Sequence, residues 1–238
     1  MKTAVITGAT SGLGLAFTGY LLSQGFAVVG IGRSEKKLTQ LTHKFEGQPF
    51  TAIQGDLSVS QDVTRVAQEL NQFSIDWLIL NAGIQSYQSL ESNQFLGTFH
   101  EEMQVNLAAP VELVHRLLPK MTTESRVILV SSLMAKYPKI SSPGYCVSKS
   151  GLTMFARAIR PVPAKKGIHV QVVNPPLMAT TMTKGRDVKE RPEDFVADLI
   201  KQIDLNKPEI YLGKAKWIGG LEFMFKPIFE RMFIVGRR

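Results

Sequence analysis

Cysteine is nearly missing from this chain of 238 residues: the single one, Cys146, excludes an internal disulfide and a thiolate metal cluster. Histidine is sparse too. His43, His100, His115 and His169 are scattered without metal-ligand spacing, so neither a structural nor a catalytic metal is expected. No charged segment followed by an apolar run opens the chain, because Met1-Lys2 leads straight into the strand-like Thr3-Ala4-Val5-Ile6-Thr7. Secretion is therefore not expected, and one cysteine suits a reducing cytoplasm. Repeats, low-complexity stretches and linkers are also missing. The net charge of +8 comes without any alternation of aromatics with Lys or Arg. Its basic residues are spread along helical segments, which implies a general attraction to anionic phosphates or membrane surfaces and no nucleic-acid partner.

What is present is enough apolar material for one sizeable core, 44% of residues hydrophobic against 20% charged. Short apolar runs predict strands at 4–6, 27–31, 50–53, 77–80, 126–130, 169–173 and 209–212. Amphipathic stretches predict helices at 13–24, 35–45, 60–72, 95–121, 145–159 and 192–203. Strict alternation of the two predicts an α/β fold, a Rossmann-like, doubly wound parallel sheet of seven strands with helices on both faces. Ligands of such sheets bind outside the carboxyl ends of the strands, at the topological switch point.

The chemistry-bearing residues fall at those ends. Tyr145 and Lys149, four apart on a predicted helix, share one face. A lysine ammonium beside a phenol favours the phenolate and is expected to lower the phenol pKa from ~10 toward the range of acid–base work. Such a tyrosine can hand a proton to a carbonyl oxygen, and Ser132 can hydrogen-bond the same oxygen if the fold brings the segments together. Far upstream, Thr7-Gly8-Ala9-Thr10-Ser11-Gly12-Leu13-Gly14 follows the first strand and opens the first helix. Glycines there permit a tight turn, and the helix N-terminus offers free N–H groups to a pyrophosphate.

With these residues in this order, residues 1 to about 213 resemble the short-chain dehydrogenase/reductase family of compact type. Thr7 to Gly14 looks like its TGxxxGxG cofactor turn, and Asn81-Ala82-Gly83 like its NAG motif. Asn106 looks like its catalytic asparagine, and Ser132, Tyr145 and Lys149 like its serine and YxxxK pair. Asp56 and Leu57 are similar to the pair that contacts the adenine ring. The resemblance implies hydride exchange between a nicotinamide and a carbonyl or alcohol carbon of a small molecule. It makes Tyr145 the acid in reduction and the base in oxidation, and Lys149 the residue that tunes it and binds the nicotinamide ribose. Ser132 would orient the substrate carbonyl, and Asn106 would hold a water behind Lys149. Gly8, Thr10, Ser11, Gly12, Leu13, Gly14, Asp56, Leu57, Asn81, Ala82 and Gly83 would line the cofactor site, together with Pro175 and Thr180 after the sixth strand.

Cofactor choice follows from charge. After the second strand an acid would repel a 2′-phosphate, but Gly30-Ile31-Gly32-Arg33-Ser34 stands there. Arg33 can clamp a phosphate, with Ser34 and Lys36 or Lys37 nearby, so NADP(H) is expected over NAD(H). Ser11 occupies a place where some NADP-preferring relatives carry a second basic residue. A carbonyl reductase is the leading expectation. The alternative is a cofactor-binding regulatory or scaffold protein without turnover.

Two places depart from the family pattern. Asn174-Pro175-Pro176 puts a proline where a glycine is usual, which predicts a reshaped loop and leaves open whether Thr180 or Thr181 meets the cofactor. Pro161 and Pro163 should end or kink the tyrosine helix near Ile159, the helix that often packs across a dimer interface in relatives. A homo-oligomer, dimer or tetramer, is expected. Leu133, Met134, Tyr137, Ile84 and Tyr87 are candidates for an apolar pocket, and Lys184, Arg186 and Lys189 form a charged loop beside it. Cys146, one residue past Tyr145, faces about 100° away and is expected to be a buried structural thiol. The tail 214–238 carries large apolar residues at 217, 221, 224, 228 and 232, too interrupted by charge to span a membrane. It is a lid over the cleft, an oligomer contact, or a segment lying in a membrane interface.

Overall fold

The computed structural model describes residues 1–183, 185 and 187–213. Seven parallel strands form one sheet: β1 (Thr3–Thr7), β2 (Ala27–Gly32), β3 (Phe50–Gln54), β4 (Trp77–Leu80), β5 (Arg126–Val130), β6 (His169–Asn174) and β7 (Glu209–Tyr211), in the order β3-β2-β1-β4-β5-β6-β7. The helices are α1 (Gly12–Ser23), α2 (Glu35–Lys44), α3 (Ser60–Leu70), α4 (Phe95–Met103), α5 (Ala109–Leu117), α6 (Pro143–Ile159), α7 (Pro161–Ala164) and α8 (Pro192–Asp204). Strands β4 and β5 are buried at every residue, as a parallel sheet covered on both faces requires. On one face Val63, Val66, Leu70, Leu113, Leu117 and Leu152 from α3, α5 and α6 pack against the strands. On the other, Phe17, Leu21, Leu41, Leu199 and Ile203 from α1, α2 and α8 do the same. Among the described residues no helix is long and apolar enough to cross a membrane.

The order in which strands are added reverses between β1 and β4, each of which leads outward to one half of the sheet, and there the crevice opens. Thr7, the last residue of β1, closes the floor. Its Oγ1 accepts the backbone N–H groups of Asn81 and Ala82, both at 3.0 Å, and its carbonyl accepts Asn81 Nδ2 at 3.0 Å. Gly8 then turns the chain with φ +68°, where a side chain would be strained and would meet Ala82 Cα at 3.0 Å.

Two helices differ from their sequence patterns for identifiable reasons. The stretch 95–121 is not continuous: a π-helical turn, Gln104–Ala108, separates α4 from α5, and a 3₁₀ turn, Leu118–Lys120, follows. The Ala109 N–H reaches back to Gln104 O, five residues away. Pro110 has no N–H to give to Asn106 O, so nothing pulls the wide turn back into α-register. The prolines after α6 act as expected. The helix ends at Ile159, and Pro161 opens the separate turn α7, a position where its fixed φ costs nothing.

Two helical glycines are expected to respond in opposite directions to an added methyl group, one held by the close approach of α1 to the end of β4 and one in open space. A Cβ on Gly14 would lie 2.2 Å from Gly8 O and 2.6 Å from Asn81 Nδ2, whereas one on Gly97 in α4 would meet nothing within 4 Å. Gly14→Ala is expected to cost about 1–3 kcal/mol, by overpacking against backbone. Gly97→Ala is expected to gain about 0.5–1 kcal/mol through helix propensity. Urea unfolding of the two variants beside the parent checks both signs.

Candidate active site

The segment after β5 and the first turns of α6 meet because Ser131 ties them together. Its hydroxyl lies 2.7 Å from Thr153 Oγ1 and donates to Lys149 O at 3.2 Å. Ser132 follows, capping the short turn 133–135 by accepting Met134 N–H at 3.2 Å. Its hydroxyl also hydrogen-bonds the Tyr145 phenol. Tyr145 and Lys149 lie on the inward face of α6, 7% and 3% exposed. Lys149 Nζ donates to Val130 O at 2.8 Å and sits 5.8 Å from the Tyr145 ring centroid. Serine, tyrosine and lysine from two distant segments thus converge.

The electrostatics of the pair run opposite to the expectation from spacing. Burial pushes the Tyr145 phenol up to about 12, with the Ser132 hydrogen bond pulling the other way. Burial also brings Lys149 down to about 8. Desolvation penalises the charged form of each group, and it is the largest influence on both. Near neutral pH Tyr145 is therefore a protonated acid.

Asn106, in the π turn and fully buried, spends its side chain on the protein. Oδ1 accepts Ile84 N–H at 2.8 Å, and Nδ2 donates to Ile84 O at 2.9 Å and to Ser148 Oγ at 3.0 Å. It pins the segment after β4 to α6. Between Asn106 and Lys149 there is room only for Gly83, whose Cβ would stand 3.2 Å from both Asn106 Oδ1 and Lys149 Nζ.

A cleft of about 430 Å³ lies above these groups. Gly8, Ser11, Gly12, Leu13, Asn81, Ala82, Gly83, Ser132, Tyr145, Lys149, Pro175 and Thr180 line it. A second cleft of about 360 Å³ shares Gly8, Ser11, Ala82 and Gly83 with the first and runs along the ends of β2 and β3. Thr10, Arg33, Ser34, Asp56 and Leu57 line that one, with Lys37 beside them. Gly14 lies beneath the turn, where it lets α1 approach. The elongated, glycine-floored space suits a dinucleotide: its middle meets the helix α1 N-terminus, and the end away from Tyr145 meets the exposed Arg33 guanidinium. Asp56 is turned inward on its own loop, Oδ1 accepting Ser58 N–H at 2.9 Å and Ser58 Oγ at 2.7 Å. Ser34 caps α2, accepting Lys37 N–H at 3.4 Å, and its hydroxyl proton is still available to an anion.

Of the candidates for an apolar pocket, Leu133 and Met134 line the larger cleft and Ile84 the smaller. Tyr137 does not: at 1% exposure it belongs to the core. Tyr87 stands on the loop after β4 with its hydroxyl 3.5 Å from Met182 O. Pro176 lines the larger cleft and packs toward Gly213. Cys146 is buried, its sulfur accepting Lys139 N–H at 3.3 Å. Lys184, Arg186 and the tail 214–238 lie outside the described residues. Sequence reasoning missed Gln85 and Met182, which line both clefts, and the buried carboxylate of Glu102. Only Glu102 carried a signal, its place one helical turn before Asn106. Among the described residues no group of three or more His, Cys, Asp or Glu is placed to hold a metal ion.

Burial of Lys149 has a consequence independent of any substrate. Between about 8 and the ordinary 10.5, the unfolded chain holds a proton that the folded chain has released, so stability from this group rises with pH across that window. Lys149→Met removes the rise. The unfolding free energy of the parent minus that of the variant is expected to increase from pH 8 to 10.5. A flat difference would contradict the burial account.

Residues 2–191 match the short chain dehydrogenase family. The chain is 31% identical over 187 residues to a 3-oxoacyl-(acyl-carrier-protein) reductase of Buchnera aphidicola, covering 77% of this chain and 76% of that protein. It is 29% identical over 228 residues to the very-long-chain 3-oxoacyl-CoA reductase of Anas platyrhynchos, covering 88% and 73%. Among solved structures, a short chain dehydrogenase of Burkholderia cenocepacia in complex with NADP superposes with a TM-score of 0.84 at 23% identity, covering 96% of this chain and 97% of that one. A 4-hydroxyisoleucine dehydrogenase complexed with NADH does so with a TM-score of 0.78 at 22% identity, covering 92% and 100%. The sheet order and these superpositions establish the Rossmann-like fold. With the family match spanning most of its length, the chain belongs to the short-chain dehydrogenases, NAD(P)-dependent oxidoreductases acting on CH–OH and C=O groups.

Proposed function

We propose that this protein is an NADP(H)-preferring carbonyl reductase whose site consists of Asn106, Ser132, Tyr145 and Lys149, with residues 1–213 as one catalytic domain. The observation that carries this reading is the convergence of Ser132, Tyr145 and Lys149 on one end of a glycine-floored cleft that leads to Arg33 at the other. When bound, the nicotinamide cofactor supplies the hydride. The protein's residues do the rest. The turn Gly8 to Gly14, with the α1 N-terminus, holds a pyrophosphate, Asp56 and Leu57 flank the adenosine half, and Asn81-Ala82-Gly83 line the floor between the two halves. Pro175 and Thr180 border the nicotinamide end. Arg33, Ser34 and Lys37 hold a 2′-phosphate where no carboxylate repels it.

Reduction suits the protonation state of the site. A phenol with its pKa at about 12 stays protonated at neutral pH and is ready to deliver its proton to a carbonyl oxygen. Ser132 donates to that same oxygen and sets its direction. Lys149 keeps its charge up to about pH 8, beside the phenolate that proton transfer leaves behind. Asn106 holds segment 84 against α6, and with it Gly83 beside the Lys149 ammonium.

The outward side of α6 supports a homo-oligomer, dimer or tetramer: Val147 and Met154, seven apart and so on one face, are 50% and 60% exposed. Met154→Lys is expected to shift light-scattering mass in solution toward monomer.

Three measurements test the function. NADPH binding, followed by cofactor fluorescence, is expected to be tighter than NADH binding, and Arg33→Ala is expected to weaken NADPH by about tenfold or more while sparing NADH. Equal affinities in the parent would refute the phosphate clamp. A carbonyl screen with NADPH, beginning with the 3-oxoacyl thioesters for which the two relatives are named, is expected to show turnover. Tyr145→Phe should reduce kcat by about 10²–10⁴-fold with cofactor affinity retained. Cofactor binding with no turnover on any carbonyl would favour the regulatory alternative.

A further inference from the structure

Glu102 is the one buried carboxylate among the described residues, 2% exposed, and nothing in the reaction just described uses it. A buried carboxylate is expensive unless its oxygens find donors. Oε1 accepts Ser86 N–H at 2.7 Å and Ser86 Oγ at 2.8 Å. Oε2 fills the space that a side chain on Gly144 would occupy, 2.3 Å from its Cβ position. Gly144 lies in the first turn of α6, one residue before Tyr145. That turn lacks a cap of its own, because the N-cap Ser142 makes no side-chain capping bond and its hydroxyl accepts Gln85 Nε2 at 2.9 Å. The first N–H groups of a helix, and the partial positive charge there, are stabilised by an anion, and Glu102 brings one from α4.

Glu102 also lies one turn before Asn106, and the two hold the same loop from one side. Asn106 bonds Ile84, Glu102 bonds Ser86, and Gln85 between them reaches Ser142. We propose that Glu102 is a positioning residue for the Tyr145 phenol, its carboxylate clamping segment 84–86 to the first turn of the helix that carries Tyr145 and Lys149. The inference rests on Tyr145 acting as the proton donor. Besides Glu102, the groups facing the phenol are Ser132, Tyr87 and Cys146, with Lys149 one turn along α6. Replacing the carboxylate by an amide removes a negative charge from this set and turns an N–H group toward the N–H groups of the helix end.

Glu102→Gln and Gly144→Ala test this from opposite sides, since the added methyl pushes Oε2 out. The probe is NADPH-dependent reduction of an acetoacetyl thioester, with kcat and KM followed across pH, and NADPH affinity measured by fluorescence. Each variant is expected to lose about tenfold in kcat with little change in cofactor affinity. In Glu102→Gln the alkaline limb moves to lower pH, because with a neighbouring negative charge removed the Lys149 ammonium, which loses its proton first, and the Tyr145 phenol both deprotonate sooner. In the double variant the losses are expected to fall short of multiplying, because both act on one contact. A parent-like kcat and pH profile in Glu102→Gln would overturn the proposal about Glu102 while leaving the reading of Tyr145 intact. So would a lowered melting temperature with kcat and the pH limb unmoved, the result of a purely structural carboxylate. A parent enzyme equal in activity to Tyr145→Phe would overturn both.

Discussion

The hydroxyl of Thr7 sits where two halves of the sheet part. By accepting two successive N–H groups from the end of β4, it fixes the glycine turn after β1 at a set height above Asn81 and Ala82. Gly14 can then press α1 against that turn, and Gly83 can pass between Asn106 and Lys149. A methyl group would crowd both approaches, and at Gly14 there is no room for one. The cleft is therefore shaped by backbone contacts, and the side chains around it inherit their positions from them. The cost of moving any one contact spreads to the others, because close-packed interiors do not deform continuously.

Desolvation is the second organising effect. Taken alone, a lysine four residues after a tyrosine predicts an attraction that favours phenolate. Burial of both groups reverses the balance, holding Tyr145 protonated and bringing Lys149 to about 8. The resulting pair is a neutral acid beside a cation that is easily neutralised. The Val130 carbonyl, at 2.8 Å from the ammonium, gives the buried lysine a partner that does not depend on ligand. The same economy governs Glu102, whose burial is sustained by Ser86 and by a helix end in need of an anion.

Proline decides two local questions that periodicity could not. At Pro110 a missing N–H permits the wide turn that brings Asn106 inward, although the apolar pattern of 95–121 continues unbroken. At Pro161 the same missing donor separates α7 from α6 without touching the catalytic half of the helix. Pro176 illustrates a milder case, in which the residue finds packing beside Gly213 at the edge of the cleft.

The alternation of strands and helices along the chain and the positions of the glycine turn, Ser132 and the Tyr145–Lys149 pair were legible in the sequence, because local periodicity and residue spacing are local properties. The absence of an acid after β2 was legible for the same reason. Tertiary structure alone decided how Ser132 meets Tyr145, which direction their pKa values take, that Tyr137 enters the core, and that Glu102 and Gln85 stand at the site. These depend on burial and on contacts between residues far apart in the chain, such as Ser86 with Glu102 and Gln85 with Ser142. Spacing along a chain carries no information about the dielectric surroundings of a group or about its partners across the fold, and both are products of packing.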